Sequence, residues 1–164
     1  MMFTRFSQDA REIATRSRAI AQALGSSTVE PEHLLFALVE QTDTTASRVF
    51  ADRGFDGDGI RELLESEQAR VLSLVGVSVV EFDLPDPTPT VKEPRWSTPA
   101  KRALERALDV AAARGDRRIG PDHVLIGVLR ARGGGVARAL AGAGISPMEM
   151  ERQVEAVLDG HGPR

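Results

Sequence analysis

The chain has 164 residues, 41% hydrophobic and 27% charged, with a formal net charge of −3. That size and mix describe a single soluble globular domain able to bury a core, and the acidic balance argues against a dedicated nucleic-acid binder. Cysteine is absent, which excludes disulfides, thiolate metal sites and a cysteine nucleophile.

The first element is a helix that Ser7 can cap, with Ala10, Ile13, Ala14, Ser17, Ala21 and Leu24 at helical spacing. Gly25 is a natural stop. Pro31 suits the first position of a second helix, and Glu32 in its first turn opposes the helix dipole. Leu34, Leu35, Leu38 and Val39 form that helix's buried stripe. Thr44 to Arg53 reads as a short third helix through Ala46, Val49 and Phe50, ended by Gly54. Asp56 or Asp58 opens a fourth, with Ile60, Leu63 and Leu64. Val71 to Phe82 is rich in valine and predicts an extended strand or hairpin arm. An unpaired strand of that composition is an edge hazard, so it should pack or pair, within the chain or with a second copy. Asp83 to Arg95 carries Pro85, Pro87, Pro89 and Pro94 and reads as a polyproline-type linker.

The pattern then starts again. Ser97 or Thr98 caps, Pro99 occupies the first turn, and Ala100, Leu104, Ala107, Leu108 and Ala111 keep helical spacing up to Gly115. Pro121 to Arg130 is the next helix. Gly133-Gly134-Gly135 leads into Val136 to Ala143, and Ser146-Pro147 opens a last helix through Met150, Val154, Val157 and Leu158. The second half repeats the first at a fixed offset. Val29-Glu30-Pro31-Glu32-His33-Leu34-Leu35 returns as Ile119-Gly120-Pro121-Asp122-His123-Val124-Leu125, and Ser7/Ser97, Arg48/Arg138 and Gly54/Gly144 stay in register. A shared period of this kind means two copies of one supersecondary unit. The expected architecture is all-α: one domain over 2–164, with repeat 1 at 2–64, a Val-rich and Pro-rich linker at 65–95, and repeat 2 at 96–159.

These residues resemble the Clp N-terminal repeat domain of ClpC- and ClpA-type unfoldases. The signatures are Phe3-Thr4-Arg5-Phe6-Ser7, Pro31-Glu32-His33-Leu34-Leu35, Ser97-Thr98-Pro99-Ala100-Lys101 and Pro121-Asp122-His123-Val124-Leu125, in the family's order and spacing. The resemblance implies two four-helix units related by a pseudo-twofold axis. It also implies a substrate- and adaptor-binding role. The 164 residues contain no G-x-x-x-x-G-K-[ST] phosphate loop, and the Gly133 to Gly135 run reads as a helix-connecting turn. The expectation is a stand-alone domain without ATPase modules.

By the resemblance, Glu32 and Asp122 match glutamates that hold the guanidinium of phosphorylated arginine, a degradation mark. A carboxylate pairs bidentately with guanidinium, and free N–H groups at a helix start can meet the phosphate. As plain helix-terminus acids each would contribute ~0.3–1 kcal/mol. Pro31 and Pro121 stand where the family often has threonine, and Asp122 is a methylene shorter than glutamate. Phe3, Arg11, Trp96 and Lys101 match residues that line a groove where Clp-directed cyclic peptides bind; aromatic anchors flanked by cations suit a peptide hot spot. The alternative for Phe3 and Trp96 is closing the hydrophobic ends of their repeats.

His33 and His123 read as inward rings bonded to their own backbone, and no metal site or cofactor is expected. Phe36 and Phe50 read as core. Arg16, Arg18, Arg114, Arg117 and Arg118 read as a solvated helix face rather than a basic patch. The expected function is therefore a non-catalytic binding module of the Clp system. It would act as an adaptor that delivers ligands to a ClpC-type unfoldase, or as a decoy that competes with it for adaptors, phosphoarginine-marked proteins or cyclic peptides. No nucleic-acid or membrane partner is expected, since no apolar run reaches about 18 residues. Met1 to Ala10 lacks a signal-peptide core, so a cytoplasmic location follows by default. A small hydrolase or an unrelated all-α regulator is the alternative, without a G-x-S-x-G elbow to support the former.

Overall fold

The computed structural model describes residues 3–76 and 92–161. Among these residues eight helices fall in two runs of four: α1 (Gln8–Ala23), α2 (Pro31–Glu40), α3 (Thr45–Ala51) and α4 (Gly57–Leu74), then α5 (Thr98–Arg114), α6 (Pro121–Leu129), α7 (Gly135–Gly142) and α8 (Pro147–His161). The expected all-α pair of four-helix repeats is what the chain forms. Ser7 and Ser97 cap α1 and α5 by accepting from Ala10 N and Ala100 N at 3.2 and 3.1 Å, which relieves one orphan donor at each start. Asp56 caps α4. Gly115 closes α5 in the left-handed region, at φ 75°, where a Cβ would be penalised.

The two repeats are interlocked rather than set side by side. Helix α4 of the first packs on α7 of the second, and α8 of the second packs on α3 of the first. The short lead-ins cross over as well. Strand β1 (Thr28–Val29) pairs in parallel with β2 (Arg95–Trp96), and Phe6 bridges Ile119. Ser7 N donates to Ile119 O at 2.9 Å, and Ser97 N donates to Val29 O at 3.1 Å. Each repeat thus supplies the backbone partner for the other's entry segment. Helices α2 and α6 lie at the centre, and Leu34, Leu35, Leu38, Leu125, Ile126 and Leu129 are buried in one continuous core.

Two expectations change. Val71 to Leu74 are the last turn of α4 rather than a strand. Ile60, Leu64 and Glu67 run along one buried face of this helix, and Val71 and Leu74 extend it with exposed side chains, so continuation of the helix overrides the β-preference of valine. The rest of that stretch, 77–82, lies outside the described residues, as does 83–91 of the proline-rich segment. Arg95, placed in the linker by its sequence, belongs to β2. The two-residue strands carry no period that a sequence pattern can show.

Candidate functional site

The interlocking decides where the two acids point. Glu32, in the first turn of α2, lies against the first residue of α7: a Cβ built on Gly135 would fall 2.2 Å from Glu32 Oε1. Asp122, in the matching turn of α6, accepts from Thr45 Oγ1 at 3.2 Å, at the first residue of α3. Each acid therefore sits at the start of the other repeat's third helix. The two seats differ in what already fills them. Helix α3 is capped by Thr44, whose hydroxyl accepts from Ser47 N at 3.1 Å. Helix α7 begins at Gly134 with no side-chain cap, so its first N–H groups lack a side-chain partner.

Glu32 also borders a cleft of about 500 Å³ between α2, α4 and α7, with Glu30, Glu65 and Glu67 around it and Arg138 at one side. Leu24, Phe36, Leu64 and Val71 supply its apolar wall. Phe36 is buried, as a core residue should be, yet it also lines this wall. Arg138 is already engaged: its Nε donates to Glu67 Oε1 at 2.8 Å and a terminal nitrogen donates to Gly133 O at 2.8 Å. Hydrogen bonds from Arg70, and then from Arg138, hold the Glu67 carboxyl below its usual range. Glu32 makes no ion pair among the described residues. Burial pushes its carboxyl above the usual range; its own backbone N–H and, more weakly, Arg138 oppose this, while the Glu30 charge adds to it.

That shift has a sign. Between the pKa of the unfolded carboxyl and the raised folded value, the native chain binds more proton, so stability falls as pH rises through that window. Glu32→Gln is therefore expected to unfold at equal or higher denaturant than the wild type at pH 7.5. The advantage should vanish once pH drops below the unfolded carboxyl's pKa, about 4.3. Urea melts at the two pH values check it.

The histidines behave as their sequence context predicts. His33 Nδ1 accepts from Glu30 N, and His123 Nδ1 from Gly120 N, both at 2.9 Å. Sequence reasoning did not find the partner of the second ring: His123 Nε2 lies 2.9 Å from Asp116 Oδ2, with both side chains buried. The signal available was the Ser26/Asp116 difference between the repeats.

The second predicted constellation is only partly assembled. The rings of Phe3 and Trp96 meet with centroids 5.7 Å apart, and both residues are half-buried. The cation over Trp96 is Arg18, 5.8 Å from the ring centroid, which is well placed for cation–π attraction. Arg11 and Lys101 are exposed on α1 and α5. Trp96 Nε1 and Arg18 Nε are buried without a hydrogen-bond partner. Of the other arginines, Arg16 pairs with Glu40 and Arg114 pairs with Asp116 and Asp159, while Arg117 and Arg118 are exposed. Among the described residues no helix is long and apolar enough to cross a membrane, and no group of His, Asp and Glu could hold a metal ion.

Comparison with known proteins matches this architecture. The family described as Clp repeat (R) N-terminal domain matches residues 5–92 and 95–162. The chaperone protein ClpB of Oceanobacillus iheyensis is 28% identical over 96% of this chain. The negative regulator of genetic competence ClpC/MecB of Bacillus subtilis is 27% identical over the same share. The chain spans 18% of the length of each of these relatives. Among solved structures, the N-terminal domain of the ClpD chaperone of Arabidopsis thaliana superposes with a TM-score of 0.68 at 22% identity, covering 97% of both chains. The Hsp104 N-terminal domain of Candida albicans gives 0.62 at 19%, covering 91% of this chain and 88% of that one.

Proposed function

Because the chain belongs to the Clp repeat (R) N-terminal domain family, we propose that it is a non-catalytic binding module of the Clp chaperone and protease system, with its ligand seat at Glu32. The observation that carries this reading is the carboxylate of Glu32, set without an ion-pair partner in a cleft beside the uncapped start of α7. A guanidinium entering the cleft meets that carboxylate bidentately. A phosphate on the same group meets the free N–H groups of α7. Phosphoarginine supplies both, and the apolar wall accommodates its three-carbon stem. Asp122 is the weaker seat, since Thr45 already bonds its carboxylate.

The 164 residues hold no phosphate loop, so the action available within them is to bind and to hand over or withhold. As an adaptor the chain contacts a ClpC-type unfoldase; as a decoy it binds only the ligand. Pull-down against a ClpC hexamer separates the two: retention on the hexamer supports the adaptor, and none removes it. Calorimetry with phosphoarginine should give saturable binding at one dominant site. A flat titration would remove the mark from the reading. A second reading places cyclic or linear peptides on the Phe3–Trp96 pair. It is favoured by the contact between two half-buried aromatic rings at the junction of the repeats.

A further inference from the structure

The two repeats offer an internal comparison that fixes what the first cleft lacks. In the second repeat, His123 Nε2 is matched by the Asp116 carboxylate at 2.9 Å. Arg114 then spans from Asp116, at 3.2 Å, to Asp159, at 2.7 Å, and closes over the pair. At the corresponding positions the first repeat has Ser26 for Asp116 and Leu24 for Arg114. Ser26 does not replace the carboxylate. Its hydroxyl donates to Thr28 O at 2.7 Å and accepts from Thr28 N at 3.3 Å, so it is turned into its own turn.

His33 is left with one face unanswered. Its Nδ1 accepts from Glu30 N, so the neutral ring carries its proton on Nε2. The residue is 7% exposed and lines the cleft, yet no described group accepts from Nε2. Among the described residues the side-chain nitrogens sealed from solvent without a partner are Arg18 Nε and Trp96 Nε1, so His33 Nε2 opens to the cleft, where an acceptor brought by a ligand can take the place of water. A second carboxylate is a poor candidate, because Glu30, Glu32 and Glu65 already surround the space. A neutral carbonyl oxygen fits.

We propose that the first repeat's cleft binds an extended peptide main chain, with His33 Nε2–H donating to a backbone carbonyl beside the side chain held by Glu32. The second repeat has no equivalent site, because Asp116 occupies the acceptor position there. The proposal rests on the Glu32 reading only for the identity of that neighbouring side chain. It makes the ligand a segment of protein rather than a free modified amino acid.

The test uses imidazole ¹⁵N signals and titrations of the whole chain with three probes: free phosphoarginine, acetyl-Ala-phosphoarginine-Ala-amide, and acetyl-Ala-Arg-Ala-amide. The wild type and two variants are compared. Ser26→Asp installs the carboxylate that plugs the second repeat; Ser26→Ala leaves His33 Nε2 open. The expected result is that a capped peptide shifts the His33 Nε2 signal and binds about tenfold more tightly than the free amino acid. Ser26→Ala should keep this advantage and Ser26→Asp should lose it. Equal affinities for the phosphorylated peptide and the free amino acid, unchanged by Ser26→Asp, would overturn the proposal and leave the guanidinium seat standing. If the unmodified peptide moves His33 and free phosphoarginine does not bind, the main-chain site stands and the phosphoarginine reading falls. An unmoved His33 Nε2 signal at saturating peptide sinks the proposal whatever the variants do.

Discussion

Gly127→Ala is expected to destabilise the fold by about 2–3 kcal/mol, even though alanine is the better helix former by about 1 kcal/mol. Gly127 lies in the last turn of α6, where that helix packs on α5. A Cβ there would meet Ala103 O at 2.2 Å, the Ala103 carbonyl carbon at 3.2 Å and Ala107 N at 3.0 Å. These are backbone atoms of a buried helix and cannot turn aside as a side-chain tip can, so the two helices must separate. The matching position in the first repeat is Ala37, fully buried in α2, so the α1–α2 packing already includes a methyl group. Differential scanning calorimetry should show a fall of roughly 5–10 °C for Gly127→Ala. An unchanged or raised midpoint would mean that propensity outweighs packing and that the α5–α6 approach is looser than described.

The second large effect is on binding. Glu32→Ala should weaken phosphoarginine binding by about 10- to 100-fold, the usual size of a lost charge-assisted hydrogen-bonded pair. Asp122→Ala should change it by less than about twofold. Its cost should instead appear in stability, since Thr45 Oγ1 loses an acceptor and α3 loses a negative charge at its start, worth about 0.3–1 kcal/mol. The contrast follows from what each acid faces. Glu32 meets an uncapped glycine start and open space, whereas Asp122 meets a threonine on a helix that is already capped. Calorimetry on the two variants and the wild type checks both halves. Equal losses would mean that the seats are equivalent despite Thr45. If Gly135→Ala weakened binding without moving the melting point, it would support the same geometry, because the added methyl displaces only the tip of Glu32.

The duplicated Pro-acid-His motif and its glycine and serine punctuation made the eight helices legible in sequence, because capping and stopping are local chemistry. Ser7 caps where its spacing says it should, and of the paired candidates Ser97/Thr98 and Asp56/Asp58 the first of each is the cap. The interlocking was not legible. A fixed offset says that two units are alike, not that α4 of one packs on α7 of the other. The partners of Glu32 and Asp122 were hidden for the same reason. Where the repeats differ, at Thr45/Gly135 and Ser26/Asp116, the sequence did hold the asymmetry. Its meaning emerges only when each position is placed opposite the acid or ring it faces. Val71 to Leu74 misled because β-propensity describes a preference for half-buried pleated surfaces, and here these residues continue α4 as its largely exposed last turn.

The most direct measurement is a map of backbone amide shifts during titration with acetyl-Ala-phosphoarginine-Ala-amide. The account predicts that the largest changes fall on Glu32 and His33 at the start of α2 and on Gly134 and Gly135 at the start of α7, with Thr45 and Asp122 unmoved. Changes centred on Phe3 and Trp96, or equal changes at both acidic seats, would contradict it.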